Sequence, residues 1–141
     1  MKRWSARALA VQALLTFHLI DISLRLHTFE VVLGFLQKHS GRSTRRLSPA
    51  EQDWAIAVMR QAARQIRRFD VRARRDCLPR ALTVYYLLRR RGIPVSFSMG
   101  IRKHPFGAHA WVEHQGQVIS DYRDERSGYV QIMCVAGDRG A

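Results

Sequence analysis

Three residues could do chemistry together. Cys77 stands just before an apolar run, His109 lies in an alternating stretch, and Asp121 follows twelve residues later. A thiol attacks a carbonyl as its thiolate. An imidazole can take that proton and return it, and a carboxylate can fix the imidazole's tautomer and orientation. These types, in this order, could run acyl transfer through a thioester. Each also has a plain structural reading. Cys77 could be a small buried hydrophobe, His109 a polar residue on a wet sheet face, and Asp121 a strand-end aspartate. Glu113 is a second, more distant candidate for the orienting acid, four residues along the strand of His109.

Cys77 needs an element that favours negative charge. Asp76-Cys77-Leu78-Pro79 reads as a helix start, because a proline in the first turn has no N–H to lose. Leu78, Ala81, Leu82, Tyr85 and Leu88 recur at helical spacing. Arg89, Arg90 and Arg91 suit the last turn, and Gly92 and Pro94 end the helix. Unpaired N–H groups at a helix start lower a thiol's pKa. Arg74, Arg75 and Arg80 add to that influence and Asp76 opposes it.

His109 and Asp121 need a hairpin. After Pro94 the pattern alternates: Val95, Phe97 and Met99 against Ser96, Ser98 and Gly100. His109 to His114 and Gln117 to Tyr122 read as a paired hairpin, and Tyr129 to Val135 as a last strand. A three-residue loop, His114-Gln115-Gly116, would pair Glu113 with Gln117 and Trp111 with Ile119. His109 then falls opposite Asp121, with Cβ atoms ~5 Å apart. A two-residue Gln115-Gly116 turn would put them on opposite faces. Read from the hairpin alone, the triad therefore requires an odd-length loop. Trp111 shares the face of His109 and could pack beside the imidazole.

The rest of the chain reads as support. The 141 residues fit one domain, residues 1–141, with 47% hydrophobic and 25% charged residues, enough for a core without disulfides. Residues 4–26 carry Leu9, Ala13, Phe17, Ile20 and Leu24 at helical spacing, and a short helix follows over Phe29–Gln37. Ser48, Pro49 and Glu51 form a capping-box start to a helix that should bury Trp54, Val58, Ala62 and Ile66. Helices first and antiparallel strands later predict an α+β fold. The apolar stretch Ala8–Ile20 is interrupted by Gln12 and is shorter than the ~20 residues a spanning helix needs. It reads as an amphipathic helix on the core, with peripheral membrane contact at most. Cys134 reads as core. The two cysteines fit no disulfide framework, so a reducing, cytoplasmic setting is expected. Cys77, His104, His109 and Cys134 match no zinc spacing.

The net charge is +13. Arg60, Arg64, Arg67 and Arg68 follow helical spacing, and Arg42, Arg45, Arg46, Arg72, Arg74 and Arg75 cluster outside the helices. A solvated face is the plain reading, and docking of an acidic leader or partner is the functional one. Nucleic acid is not expected as a partner, because no recognition motif accompanies the charge.

The run from Cys77 to Pro94, CLPRALTVYYLLRRRGIP, resembles the catalytic-cysteine helix of lasso-peptide biosynthesis B proteins. Pro105-Phe106-Gly107-Ala108-His109-Ala110-Trp111-Val112-Glu113 resembles their histidine motif, and Asp121 falls where their aspartate follows the hairpin. The resemblance implies a papain-like or transglutaminase-like α+β fold. Residues 1–48 would be a helical extension and residues 49–141 the catalytic core. It implies cleavage of a leader from a ribosomally made lasso precursor peptide. Cys77 would be the nucleophile, His109 the general base and acid, and Asp121 its orienting residue. No cofactor is needed for this chemistry. The chain looks like the stand-alone peptidase half, which implies a separate leader-recognition protein and a later ATP-dependent lasso cyclase. A basic binding module and an amine-using acyl transferase are the alternative readings.

Overall fold

The computed structural model describes residues 5–40, 46–69, 77–120 and 128–135. Short polar side chains start the first helices. Ser5 Oγ accepts from the Ala8 N–H at 3.1 Å ahead of α1 (Ala6–Leu26), and Thr28 Oγ1 accepts from the Val31 N–H at 3.4 Å ahead of α2 (Phe29–His39). The capping box at α3 (Pro49–Phe69) closes as its sequence predicts. The Glu51 N–H donates to Ser48 Oγ at 3.3 Å, and the Ser48 N–H donates to Glu51 Oε2 at 2.9 Å. Two donors that lack helical partners are thereby satisfied.

Helix α4 (Cys77–Arg90) ends at Gly92, whose φ of 76° is one that glycine adopts without strain. The Gly92 N–H reaches Arg89 O at 2.9 Å and the Ile93 N–H reaches Leu88 O at 3.1 Å, a Schellman closure. Ile93 is thereby turned into the core, 1% exposed.

The alternating half forms one antiparallel sheet, ordered β3-β2-β1-β4. Its strands are β1 (Ser96–Arg102), β2 (Gly107–His114), β3 (Gln117–Val118) and β4 (Val130–Val135). Paired residues share a face. Phe97 with Val112, and Met99 with Ala110, face one side. Ser98 with Trp111, and Gly100 with His109, face the other. Phe97, Ala110 and Val112 join Leu82, Leu88 and Tyr85 of α4 in the main core, to which α1 adds Leu9, Ala13 and Ile20. Among the described residues, four helices against a four-stranded antiparallel sheet make an α+β fold.

Several expectations are corrected. The hairpin turn is the two-residue Gln115-Gly116, with φ of 51° and 79°, and Glu113 pairs with Val118 rather than Gln117. Gln-Gly can take the doubly positive φ of a type I′ turn, whose twist matches that of its strands. Trp54 is 40% exposed, because α3 turns Ala55, Met59, Ala62, Ala63 and Ile66 inward. Small residues on that stripe let α3 come close to its neighbours. Cys134 is exposed rather than core, on the edge strand β4. α1 packs on the core through Leu9, Ala13, Phe17 and Ile20 as expected, but also carries a second, exposed apolar stripe. At 21 residues it is long and apolar enough to cross a membrane by length and composition. Arg42, Arg45, Arg72, Arg74, Arg75, Asp76 and Asp121 lie outside the described residues.

Candidate active site

Cys77 is the first residue of α4, half-buried, and its thiol hydrogen-bonds His109 on β2. The sulfur also takes a hydrogen bond from the Ala110 N–H. That donor is free to do so because of how the hairpin ends. Beyond Val118 the Ile119 N–H still reaches Val112 O at 2.9 Å. The Val112 N–H, however, donates to the Ser120 hydroxyl at 2.9 Å, not to a backbone carbonyl. With the side chain of Ser120, 3% exposed, closing the ladder, the next edge amide is left to Cys77. Sequence reasoning missed Ser120, and only the hairpin's register shows its part.

Burial pushes the Cys77 thiol up. The His109 hydrogen bond, the Ala110 amide and the positive charges of His109 and Arg80 pull it down, and together they hold it below the usual thiol value. Arg80, three residues along α4, is itself 4% exposed. A helix start, a hydrogen-bonded imidazole and buried positive charge are the conditions that activate a cysteine.

His109 is 8% exposed and its ring touches two others. Trp111 stacks on it at 5.9 Å between centroids and 23° between planes, and Tyr129 lies tilted against it at 5.5 Å and 40°. Each of these two rings has a further polar partner. The Arg102 guanidinium sits 5.0 Å from the Tyr129 ring centre, and the Trp111 indole N–H donates to Glu113 Oε1 at 2.7 Å. Gly100 makes room for the indole: a Cβ there would lie 2.9 Å from Trp111 Cη2 and 3.0 Å from the Val130 carbonyl. Glu113, the second candidate for the orienting acid, is thus engaged by the indole, with Trp111 between it and His109 along the strand. Sequence analysis found Trp111 by its shared face but missed Tyr129 and Gly100.

The two-residue turn removes the register that paired His109 with Asp121. The motif resemblance alone now carries Asp121, which lies outside the described residues. Among the described residues, no group of three His, Cys, Asp or Glu side chains could hold a metal ion.

Comparison with known proteins agrees with this architecture. A family model described as the transglutaminase-like superfamily matches residues 23–134. The microcin J25-processing protein McjB of Escherichia coli is 38% identical over 60 residues, which is 40% of this chain and 29% of that protein. The match thus covers less than a third of that relative's length. No solved structure matches the chain.

Proposed function

This chain belongs to the transglutaminase-like superfamily, and from that premise we propose that it is a cysteine peptidase that removes the leader from a ribosomally made lasso-peptide precursor. One observation carries the reading: a thiol at a helix start, hydrogen-bonded to an imidazole and held below its usual pKa. The similarity to a protein named for processing microcin J25 supports the substrate class. The reducing cytoplasm would keep both cysteines free.

In the proposed reaction His109 takes the proton of Cys77 and the thiolate attacks the scissile carbonyl. The backbone N–H of Cys77, at the helix start, is a donor for the oxyanion. His109 returns its proton to the departing core amine, leaving the leader as a thioester on Cys77. Water then hydrolyses that thioester. Asp121 is the proposed orienting acid. A leader-binding protein is proposed to present the precursor, and an ATP-dependent cyclase to act on the freed core.

The test is mass spectrometry of the precursor after incubation with this protein and a leader-binding partner, alongside Cys77→Ala and Asp121→Asn. A single cut at the leader–core junction is expected. It should be absent with Cys77→Ala and slowed at least tenfold with Asp121→Asn, by analogy with triads in which the acid only orients the histidine. An undiminished cut by Cys77→Ala would overturn the reading. A crosslinked product in place of free leader and core would assign the thioester to an amine acceptor instead.

A further inference from the structure

Helix α1 uses only one of its two apolar faces. Leu9, Ala13, Phe17 and Ile20 are buried against the core. On the opposite side Val11, Leu15, Leu19, Ile22 and Leu26 form a continuous stripe, from 53% exposed at Ile22 to 73% at Leu26. The stripe continues onto α2, where Val31 and Phe35, each 57% exposed, share with Leu19 a groove of about 470 Å³. A contiguous apolar surface of this kind marks an interaction site rather than ordinary exposure.

We propose that this face seats the protein on an anionic lipid surface, with α1 lying in the plane of the interface. The composition favours lipid over protein. The α1 stripe is purely aliphatic and lacks the Tyr, Trp, Arg and Met that enrich the centres of protein interfaces. Its borders are basic. Arg7, His18 and Arg25 lie along one flank of α1, Lys38 is in the last turn of α2, and Arg90 lines the shared groove. Long basic side chains beside an aliphatic stripe can reach headgroups while their stems stay in the apolar layer. The nearby carboxylates are Asp21, paired with Arg25 at 3.2 Å, and Glu30. The whole chain carries +13, which an anionic surface complements. The same helix is committed to the core at Leu9 and Ala13, both 0% exposed. It therefore lies on a bilayer and does not span one, since spanning would strip that core.

The experiment is flotation of the full chain with vesicles of phosphatidylcholine alone, or mixed equally with phosphatidylglycerol, at low and high salt. A Leu15→Glu/Leu19→Glu variant is the control. Both positions are exposed, so the variant should keep the thermal midpoint of the wild type. The wild type should float with the mixed vesicles at low salt and much less at high salt or with phosphatidylcholine alone. The double variant should bind on the order of a hundredfold more weakly. Wild type that does not float with the mixed vesicles, or a variant that floats equally well, overturns the proposal. So does a wild-type dimer in sedimentation that the variant dissolves without any vesicle binding, since the face would then belong to a second copy. None of these readouts depends on peptidase activity.

Discussion

At the scale of single residues, opposing influences on Cys77 decide its reactivity. Burial raises the thiol, and the contacts with His109, Ala110 and Arg80 lower it. Replacement His109→Ala keeps most of the burial and removes both the hydrogen bond and a positive charge. The thiol pKa should therefore rise above its wild-type value, and alkylation at neutral pH should slow. Thiolate absorbance followed against pH reads this directly. An unchanged titration would mean that His109 does not act on the thiol. Gly100 is the second residue with a sharp expectation. A methyl at that position meets both the Trp111 indole and the Val130 carbonyl. Of the two, only the indole can move. Gly100→Ala should cost about 1–3 kcal/mol of stability, as overpacking does. Displacing the indole should tilt the imidazole, so kcat should fall more than KM changes. A variant with lowered stability but unchanged kcat would show that the stack does not orient His109.

At the scale of elements, the site depends on where a ladder stops. Pairing of β2 with β3 ends in a side chain, the Ser120 hydroxyl, so that the Ala110 amide can face α4. Ser120→Ala leaves the buried Val112 N–H without its acceptor, a loss of about 1–3 kcal/mol. The loss should appear as a lower midpoint in denaturant, and Ser120→Thr should recover much of it. Equal midpoints for Ser120→Ala and wild type would remove Ser120 from this role. The short strand has a second tie: Arg60 of α3 donates to Val118 O at 2.8 Å. An arginine of the basic helix therefore holds the sheet edge, so that helix is not only a solvated or docking face.

For the whole molecule, the first helix belongs to the same core as the site. Leu9, Ala13 and Ile20 pack in one cluster with α4 and the sheet, so α1 is not a separable layer. Leu9→Ala should cost about 2–5 kcal/mol, the range for truncating a fully buried leucine. Loss of helical signal and exposure of Cys77 to alkylation should then follow a single transition in denaturant. Two separate transitions would show that α1 and the site fold independently.

Local signals in the sequence determined the helix starts and stops, because a cap, a first-turn proline or a terminal glycine acts on groups within a few residues of itself. Ser48 with Glu51, Cys77 at a helix start and Gly92 at its end were all legible in that way. So was the order of helices before antiparallel strands, and with it the fold class. The meeting of Cys77 with His109 could be anticipated only from the motif resemblance, since nothing in the intervening residues fixes how α4 docks on β2. What only the tertiary structure decided depends on choices between close alternatives. Gln115-Gly116 fits a two-residue turn as well as a three-residue loop. A turn of one residue more or less exchanges the faces of a strand, and the two-residue turn pairs Glu113 with Val118, so the hairpin register no longer supports the pairing expected for His109 and Asp121. Gly100 comes to His109 from β1 and Tyr129 from just ahead of β4, through pairings between distant parts of the chain. The exposure of half of α1 likewise followed from tertiary packing. Periodicity shows that a helix has an apolar face, but which of two apolar faces is covered depends on what the remaining chain can reach.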